Sequence, residues 1–309
     1  EPYTHLRAFP SFDTMFYDFL CPFRVFMSVC AWFVLAYLFG RQPRESRTQR
    51  LFAWLAPVVV PPVLGPGWSG ISTLYPFLAV AAPELPMVDV RVVFDAGSAR
   101  DGDRPGLASL TNELLAEGAG PWSADELAAR VEAVGAGLGS DSLRDMAYVS
   151  VRSLTEAKAL EVAVESLAAI VAAPRFEAGA IERVRNARLV SLRQQEQSAG
   201  SVASKAFYRT LYGDHPYASD PDGTTESVTA VTREALQEFH RRYYVARNAV
   251  VAIVGALDRA QAEALVERLM AAVPAGERAA KVAEPRAPAP GEHPVAFPST
   301  QTHIYLGQL

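Results

Sequence analysis

The five histidines are the residues best suited to metal binding or proton transfer, and their spacing argues against a locally built site. They stand far apart, at His5, His215, His240, His293 and His303. No two of them share a helical face or a short loop, which is the spacing that a local zinc site needs. His215 precedes a proline in a predicted turn and His240 lies in a predicted helix, so we expect both imidazoles to have structural roles.

The common nucleophile and nucleotide-binding motifs are also missing. The chain has no G-x-S-x-G elbow, no G-x-x-x-x-G-K loop and no G-x-G-x-x-G that follows a predicted strand. The glycines of residues 135–140 (GAGLGS) follow a helix and precede a strand, the reverse of the nucleotide-binding order, so we interpret them as a helix end and a turn. Both cysteines, Cys21 and Cys30, lie near the N-terminus, and the rest of the chain has no thiol for catalysis or metal binding.

Any site must be positioned by a globular scaffold, which the composition supports. The chain has 309 residues, of which 50% are hydrophobic and 20% charged, enough for one large or two modest domains. This composition excludes collagen-like, disordered and disulfide-scaffold proteins. With 29 Lys and Arg against 34 Asp and Glu, the formal charge is −5, so we expect no nucleic-acid partner.

Alternating strands and helices are predicted from Met87 onward. Val88, Val90 and Val92 alternate with Asp89 and Arg91, which predicts a half-buried strand. The segment 106–118 (GLASLTNELLAEG) has leucines at helical spacing and ends at a glycine, which predicts an amphipathic helix. The same rules predict helices opened by Ser123, Thr155, Thr232 and Asp258, a helix over 177–198, and strands over 147–154 and 248–255. This mixed order favours an α+β fold.

The first 70 residues differ from the rest. Val25–Gly40 and Leu51–Gly65 are apolar runs that each fall short of the roughly 18 residues typical of a spanning helix. The basic segment between them contains Arg41, Arg44, Arg47 and Arg50. Three interpretations stay open: a membrane anchor, a signal peptide that begins internally, or a mis-assigned N-terminus. They favour export or membrane association, and therefore a periplasmic or membrane-associated protein.

Six phrases in fixed order carry a family resemblance. They are LPMVDVRVVFDAGSARD, PGLASLTNELLAEG, APRFEAGAIERVR, FYRTLYGDHPYASDPDGT, YYVARNAVVAIVGALD and PSTQTHIYLGQ. From about Glu84 onward the chain resembles the pitrilysin/insulinase (M16) family of bacterial and other zinc metallopeptidases and their silent relatives. The resemblance implies a LuxS/MPP-like α+β domain, an antiparallel sheet packed with helices, that is normally duplicated into a clamshell.

The resemblance also implies a domain organisation. We expect residues 1–70 to be a hydrophobic leader, anchor or mis-assigned N-terminus, and residues 71–280 to be the first M16-like domain. Residues 281–294, rich in alanine and proline, are expected to form a linker. Residues 295–309 are expected to begin a truncated second domain with a strand that starts at Thr302.

Active members of the family carry an inverted zinc motif, H-x-x-E-H, in which two histidines one helical turn apart bind zinc and the glutamate activates water. Laid on this sequence, the motif falls on Ser109, Asn112 and Glu113, so no functional residue is retained. The family's further glutamate ligand is expected near Leu189–Leu192, where nothing acidic stands. We therefore assign no catalytic and no metal-binding residue to this chain, and expect Glu113 to be an exposed helix residue.

This reading implies a catalytically silent subunit that pairs with an H-x-x-E-H-bearing paralogue and helps to enclose peptide substrates. Zinc is then expected in the partner and not in this chain. We further expect that a peptide adds to the edge of the Val88–Phe94 strand. Two alternatives stay open: a membrane-associated scaffold or assembly protein, and an active zinc metallopeptidase whose site lies outside this fragment.

Overall fold

The computed structural model describes residues 67–71 and 74–309, with side chains described from residue 74 onward. The apolar runs, the arginine-rich segment, both cysteines and His5 lie outside the described residues, so the expectations about them stay predictions. The strands are β1 (Gly67–Ile71), β2 (Pro76–Ala81), β3 (Met87–Phe94), β4 (Gly137–Ser142), β5 (Ala147–Leu154) and β6 (Ala249–Gly255). The helices are α1 (Leu107–Leu114), α2 (Ala124–Glu132), α3 (Ala157–Ala172), α4 (Ala178–Glu196), α5 (Ala199–Tyr212), α6 (Thr225–Ala230), α7 (Arg233–Tyr243) and α8 (Arg259–Met270).

The strands form one six-stranded sheet in the order β1-β2-β6-β3-β5-β4. β3 pairs antiparallel with both β5 and β6, whereas β2 pairs parallel with β6. The α+β prediction is confirmed, and the parallel β2–β6 pair is an addition that the expected antiparallel sheet did not include. Because β3 has a neighbour on each side, the expectation that a peptide adds to the edge of the Val88–Phe94 strand is wrong.

The core lies between one face of the sheet and the helices. The alternation predicted for β3 is confirmed, since Val88, Val90 and Val92 are buried in the core while Asp89 and Arg91 are only half-buried. On that second face Arg152 pairs with Asp89 across the strands. Helices α1 and α3 pack against β5, and α1 also packs against α4 and α7.

Most predicted helices occur with the predicted caps. Ser123 and Asp258 each form a capping box at the start of α2 and α8, and Thr232 caps α7. The long helix α3 begins two residues after Thr155, with Glu156 as its cap. The interpretation of residues 135–140 as a helix end and turn is half right, because Gly135 has the left-handed backbone of a helix end while Gly137–Ser142 is the edge strand β4.

The chain beyond α8 has no helix or strand, yet the segment 276–283, here named the strap, is fixed to the domain by hydrogen bonds. Arg247 and Arg100 donate to the carbonyl oxygens of Gly276 and Ala280, at 2.9 and 2.6 Å. Asn248 accepts from the amide of Ala279, and His215 bonds the carbonyl of Ala283 at 2.8 Å. Residues 295–309 likewise have no helix or strand, so the strand expected from Thr302 is not formed in this structure. That these residues begin a second domain stays a prediction.

Within the described residues, 67–71 and 74–309, every helix is too short or too polar to cross a bilayer.

Candidate functional site

Helix α1 carries the positions on which the zinc motif falls, and its first turn is held tightly in place. Gly106 precedes the helix with φ of 90°, a left-handed conformation that glycine adopts at no steric cost. The carboxylate of Asp101 accepts hydrogen bonds from the amides of Gly106 and Ala108, at 2.8 and 2.7 Å. Burial raises the pKa of Asp101 to about 7, although these two donors act in the opposite direction. The start of α1 is thus fixed by a buried carboxyl group.

A close turn brings a second acidic residue to α1. Gly223 has φ of 81°, and a side chain there would place its Cβ 2.5 Å from the carbonyl oxygen of Pro105. Ser227 donates to the same carbonyl at 2.7 Å. Because this turn packs directly on the chain before α1, the adjacent Asp222 lies beside the exposed face of the helix.

Ser109 and Glu113 lie one turn apart on that face and share a single partner, the guanidinium of Arg188. Nη2 of Arg188 donates to Ser109 Oγ at 2.9 Å and to Glu113 Oε2 at 2.8 Å. Nη1 donates to Oδ1 of Asp222. The Arg188 side chain is only 14% exposed, against 44% for Glu113 and 34% for Asp222. One cation from α4 therefore joins α1 and the 222–223 turn.

The other oxygen of Asp222 is also bonded. Gln195 Nε2 donates to Asp222 Oδ2 at 2.7 Å, and the Ser191 Oγ lies 3.5 Å from the same nitrogen. Arg188, Ser191 and Gln195 thus line one face of α4 at spacings of three and four residues, as neighbours on a helix must. Within the window 189–192, Leu192 is buried and Val190 is half exposed, so Ser191 is the position whose side chain contacts this polar cluster.

Asn112 points away from the cluster into the core. Its side chain is buried, and Nδ2 donates to the carbonyl of Tyr148 and to the hydroxyl of Tyr244, both at 3.2 Å. Burial raises the pKa of the Tyr244 phenol, so that this hydroxyl stays neutral. An amide that donates both protons to buried acceptors has no means of taking a proton from water.

The two central histidines have structural partners, as predicted. His215 caps the short turn Pro216–Ala218, with Nδ1 accepting from the amide of Tyr217 at 3.2 Å. Nε2 then carries the ring proton and donates it to the carbonyl oxygen of Ala283 in the strap. His240 is buried, bonds the carbonyl of Val171 at 2.8 Å and stacks on Tyr244. Burial lowers the pKa of His240, which favours its neutral form.

The residues at the motif positions do not fit the zinc ion that the resemblance implies. Zinc is held by three or four strong ligands, chosen from imidazole, thiolate and carboxylate. Among residues 74–309, there is no group of three or more His, Cys, Asp and Glu side chains able to hold a metal ion. The cluster instead offers a hydroxyl and two carboxylates that already bind a guanidinium. No step of chemistry can therefore be routed through zinc at these positions.

Sequence reasoning found Ser109, Asn112 and Glu113 but missed Arg188 and Asp222. A search for an acidic ligand in the 189–192 window passes over a basic residue one position before it. The available signal is the charge of Arg188, since an arginine on this face of α4 can bind carboxylates where a search for acidic ligands finds none. Asp222 stands in one of the six phrases, but nothing in its own sequence context indicates its partner.

Two family profiles match the chain. The profile described as "Insulinase (Peptidase family M16)" matches residues 77–224, and the one described as "Peptidase M16 inactive domain" matches residues 230–309.

Curated relatives are similar to this chain over part of their length. An uncharacterized zinc protease of Mycobacterium leprae is 30% identical over 199 residues, which are 63% of this chain and 44% of the relative. Subunit 1 of the mitochondrial cytochrome b-c1 complex of Bos taurus is 31% identical over 177 residues, 57% of this chain and 36% of that subunit. The chain thus spans less than half the length of these relatives.

Solved structures share the fold. A peptidase M16 inactive domain from Pseudomonas fluorescens is 38% identical with a TM-score of 0.71, covering 72% of this chain and 54% of that one. The first half of the periplasmic protease PqqL from Escherichia coli has a TM-score of 0.64 at 20% identity, covering 72% of this chain and 49% of that one.

Proposed function

Because this chain belongs to the peptidase M16 family, we propose that it is a catalytically silent subunit that pairs with an H-x-x-E-H-bearing paralogue and helps to enclose peptides for proteolysis. One observation carries the proposal. The guanidinium of Arg188 bonds both Ser109 and Glu113, the two positions at which an active member holds zinc. Asn112 in turn is committed to the core. The scaffold is retained while the metal chemistry is lost, and zinc is then supplied by the partner.

A peptide-docking surface on this chain would support such a role, and β4 offers one. β4 pairs with β5 on one side and ends the sheet on the other. All six of its residues are exposed or half-buried, and α1 packs against it. A free strand edge binds extended peptides through main-chain hydrogen bonds. We therefore place the peptide on Gly137–Ser142, next to the motif helix.

The experiment is co-expression of the full-length protein with its H-x-x-E-H paralogue, followed by size-exclusion chromatography and a peptide-cleavage assay. We expect a 1:1 complex that cleaves peptides faster than the paralogue alone. Hydrogen exchange on a complex whose partner lacks its catalytic glutamate should show slower exchange in β4 when peptide binds, and no change in β3. A paralogue that forms no complex, or cleaves equally well without this chain, would refute the proposal.

The similarity to a cytochrome b-c1 complex subunit favours a second candidate, a membrane-associated scaffold protein. The apolar runs at Val25–Gly40 and Leu51–Gly65 agree with this candidate. The two candidates differ in their partners, because a scaffold would co-purify from membranes in a complex without a zinc peptidase. In either case we place the protein in the periplasm or at a membrane, in keeping with its structural similarity to a periplasmic protease.

A further inference from the structure

We propose that Arg188 is the resident cation of this site and that its guanidinium, beyond the loss of the two histidines, excludes a metal ion from it. Arginine stays protonated in proteins and offers a rigid fork of donors that matches carboxylates. Here the fork reaches Ser109, Glu113 and Asp222, at the point where the two ligand positions of α1 face α4. The positive charge at the motif positions is thus that of an arginine side chain, where an active member of the family has a zinc ion.

The contacts argue against an ordinary surface ion pair. Arg183 on the same helix, paired with Glu117, has a side chain that is 60% exposed. Arg188 is 14% exposed and bonds three side chains from two separate segments. A divalent ion at the same place would lie beside a fixed positive charge, and the repulsion between them is weakly screened at a half-buried site. Arg188 is therefore a positioning residue that holds the two segments together and occupies the site.

This inference concerns the chain by itself and is independent of whether a heterodimer forms. Its test compares two variants that carry the same three potential ligands. Both contain S109H, E113H and S191E, with Ser191 chosen because its side chain already contacts the cluster. One variant keeps Arg188 and the other adds R188A. Binding of Co²⁺, followed by its visible absorption and displacement with Zn²⁺, is measured in the full-length protein.

We expect the variant with R188A to bind Co²⁺ at least about tenfold more tightly than the variant that keeps Arg188. Side chains that contact metal ligands typically change metal affinity by about this factor or more. Circular dichroism checks that both variants fold. Equal affinity in the two variants, or binding by neither, would overturn the proposal, because Arg188 would then not decide metal binding.

A second measurement needs only single substitutions. R188A leaves a space shaped for a guanidinium beside two carboxylates, so millimolar methylguanidinium should raise the Tm of R188A relative to the same concentration of sodium chloride. The matched control is R183A, whose exposed ion pair offers no such space. The same response in both variants would contradict the assignment of a specific cation site.

Discussion

Asn112 stands where an active member of the family has its catalytic glutamate, and its surroundings suit an amide. The two acceptors around Nδ2 are a backbone carbonyl and a phenol, both buried. A glutamate at this position would place a carboxylate against that carbonyl oxygen, and the buried residues of the described part of the chain include no lysine or arginine to balance it. The amide at position 112 is therefore part of the packing of the core, which the sequence by itself does not reveal.

This gives a prediction for stability. We expect N112E to lower the free energy of unfolding by at least about 2 kcal/mol, because a buried carboxylate loses its hydration and faces the carbonyl oxygen of Tyr148, to which it can donate nothing. Urea unfolding followed by circular dichroism measures the change. The control is N186E on an exposed position of α4, which should stay within about 0.5 kcal/mol of the wild type. Equal effects of the two substitutions would contradict the buried role of Asn112.

Asp101 gives a prediction for pH dependence. Its pKa in the folded protein is raised to about 7 from an ordinary value of 3.8, so between these values the folded state binds a proton that the unfolded state has lost. The contribution of Asp101 to stability therefore falls as the pH rises from about 4 to about 7. Urea unfolding measures the free energy of unfolding across this range. The free energy of the wild type minus that of D101N should fall as the pH rises.

The matched control is D103N, since the Asp103 side chain is 92% exposed. The free energy of unfolding of D103N should differ from that of the wild type by a constant amount over the same pH range. A flat difference for D101N as well would show that burial does not perturb this carboxyl group.

At the scale of elements, the sequence predicted the parts with strong periodicity and clear caps. α2, α7 and α8 begin directly after Ser123, Thr232 and Asp258 because each of these side chains accepts a hydrogen bond from the backbone amide three residues on. β4 was missed because Gly137–Ser142 contains glycine, serine and aspartate, which have low strand propensity, and pairing with β5 decides its conformation. α5 was missed because no residue of it is fully buried, which weakens its apolar pattern.

The strap gives a prediction at this scale. Composition predicts a linker from residue 281, yet hydrogen bonds with Arg100, Arg247 and Asn248 hold the chain just before it, and His215 holds Ala283 within it. We expect R100M to increase tryptic cleavage after Lys281 by about threefold or more, because proteolysis requires local release of the chain. Mass spectrometry of timed digests measures the rate. The control R104M changes an exposed arginine and should leave the cleavage rate unchanged. Equal cleavage rates in R100M and R104M would refute the claim that Arg100 anchors the strap.

At the scale of the whole molecule, the fold and family were predictable from the order of six phrases, whereas the contents of the site were not. Ser109 and Glu113 were identified by alignment, but their shared partner Arg188 lies 79 and 75 residues away in sequence. Only the packing of α1 on α4 brings them together. The protein that results has the scaffold of a metallopeptidase, with an arginine in the place of the metal.

The most direct test of this account is the zinc content of the purified full-length chain, measured by elemental analysis together with a peptide-cleavage assay. The lone chain should contain far less than one zinc per molecule and cleave no peptide, and both zinc and cleavage should appear when it is co-purified with its H-x-x-E-H paralogue. One zinc per molecule in the lone chain, with cleavage that a chelator abolishes, would contradict the account.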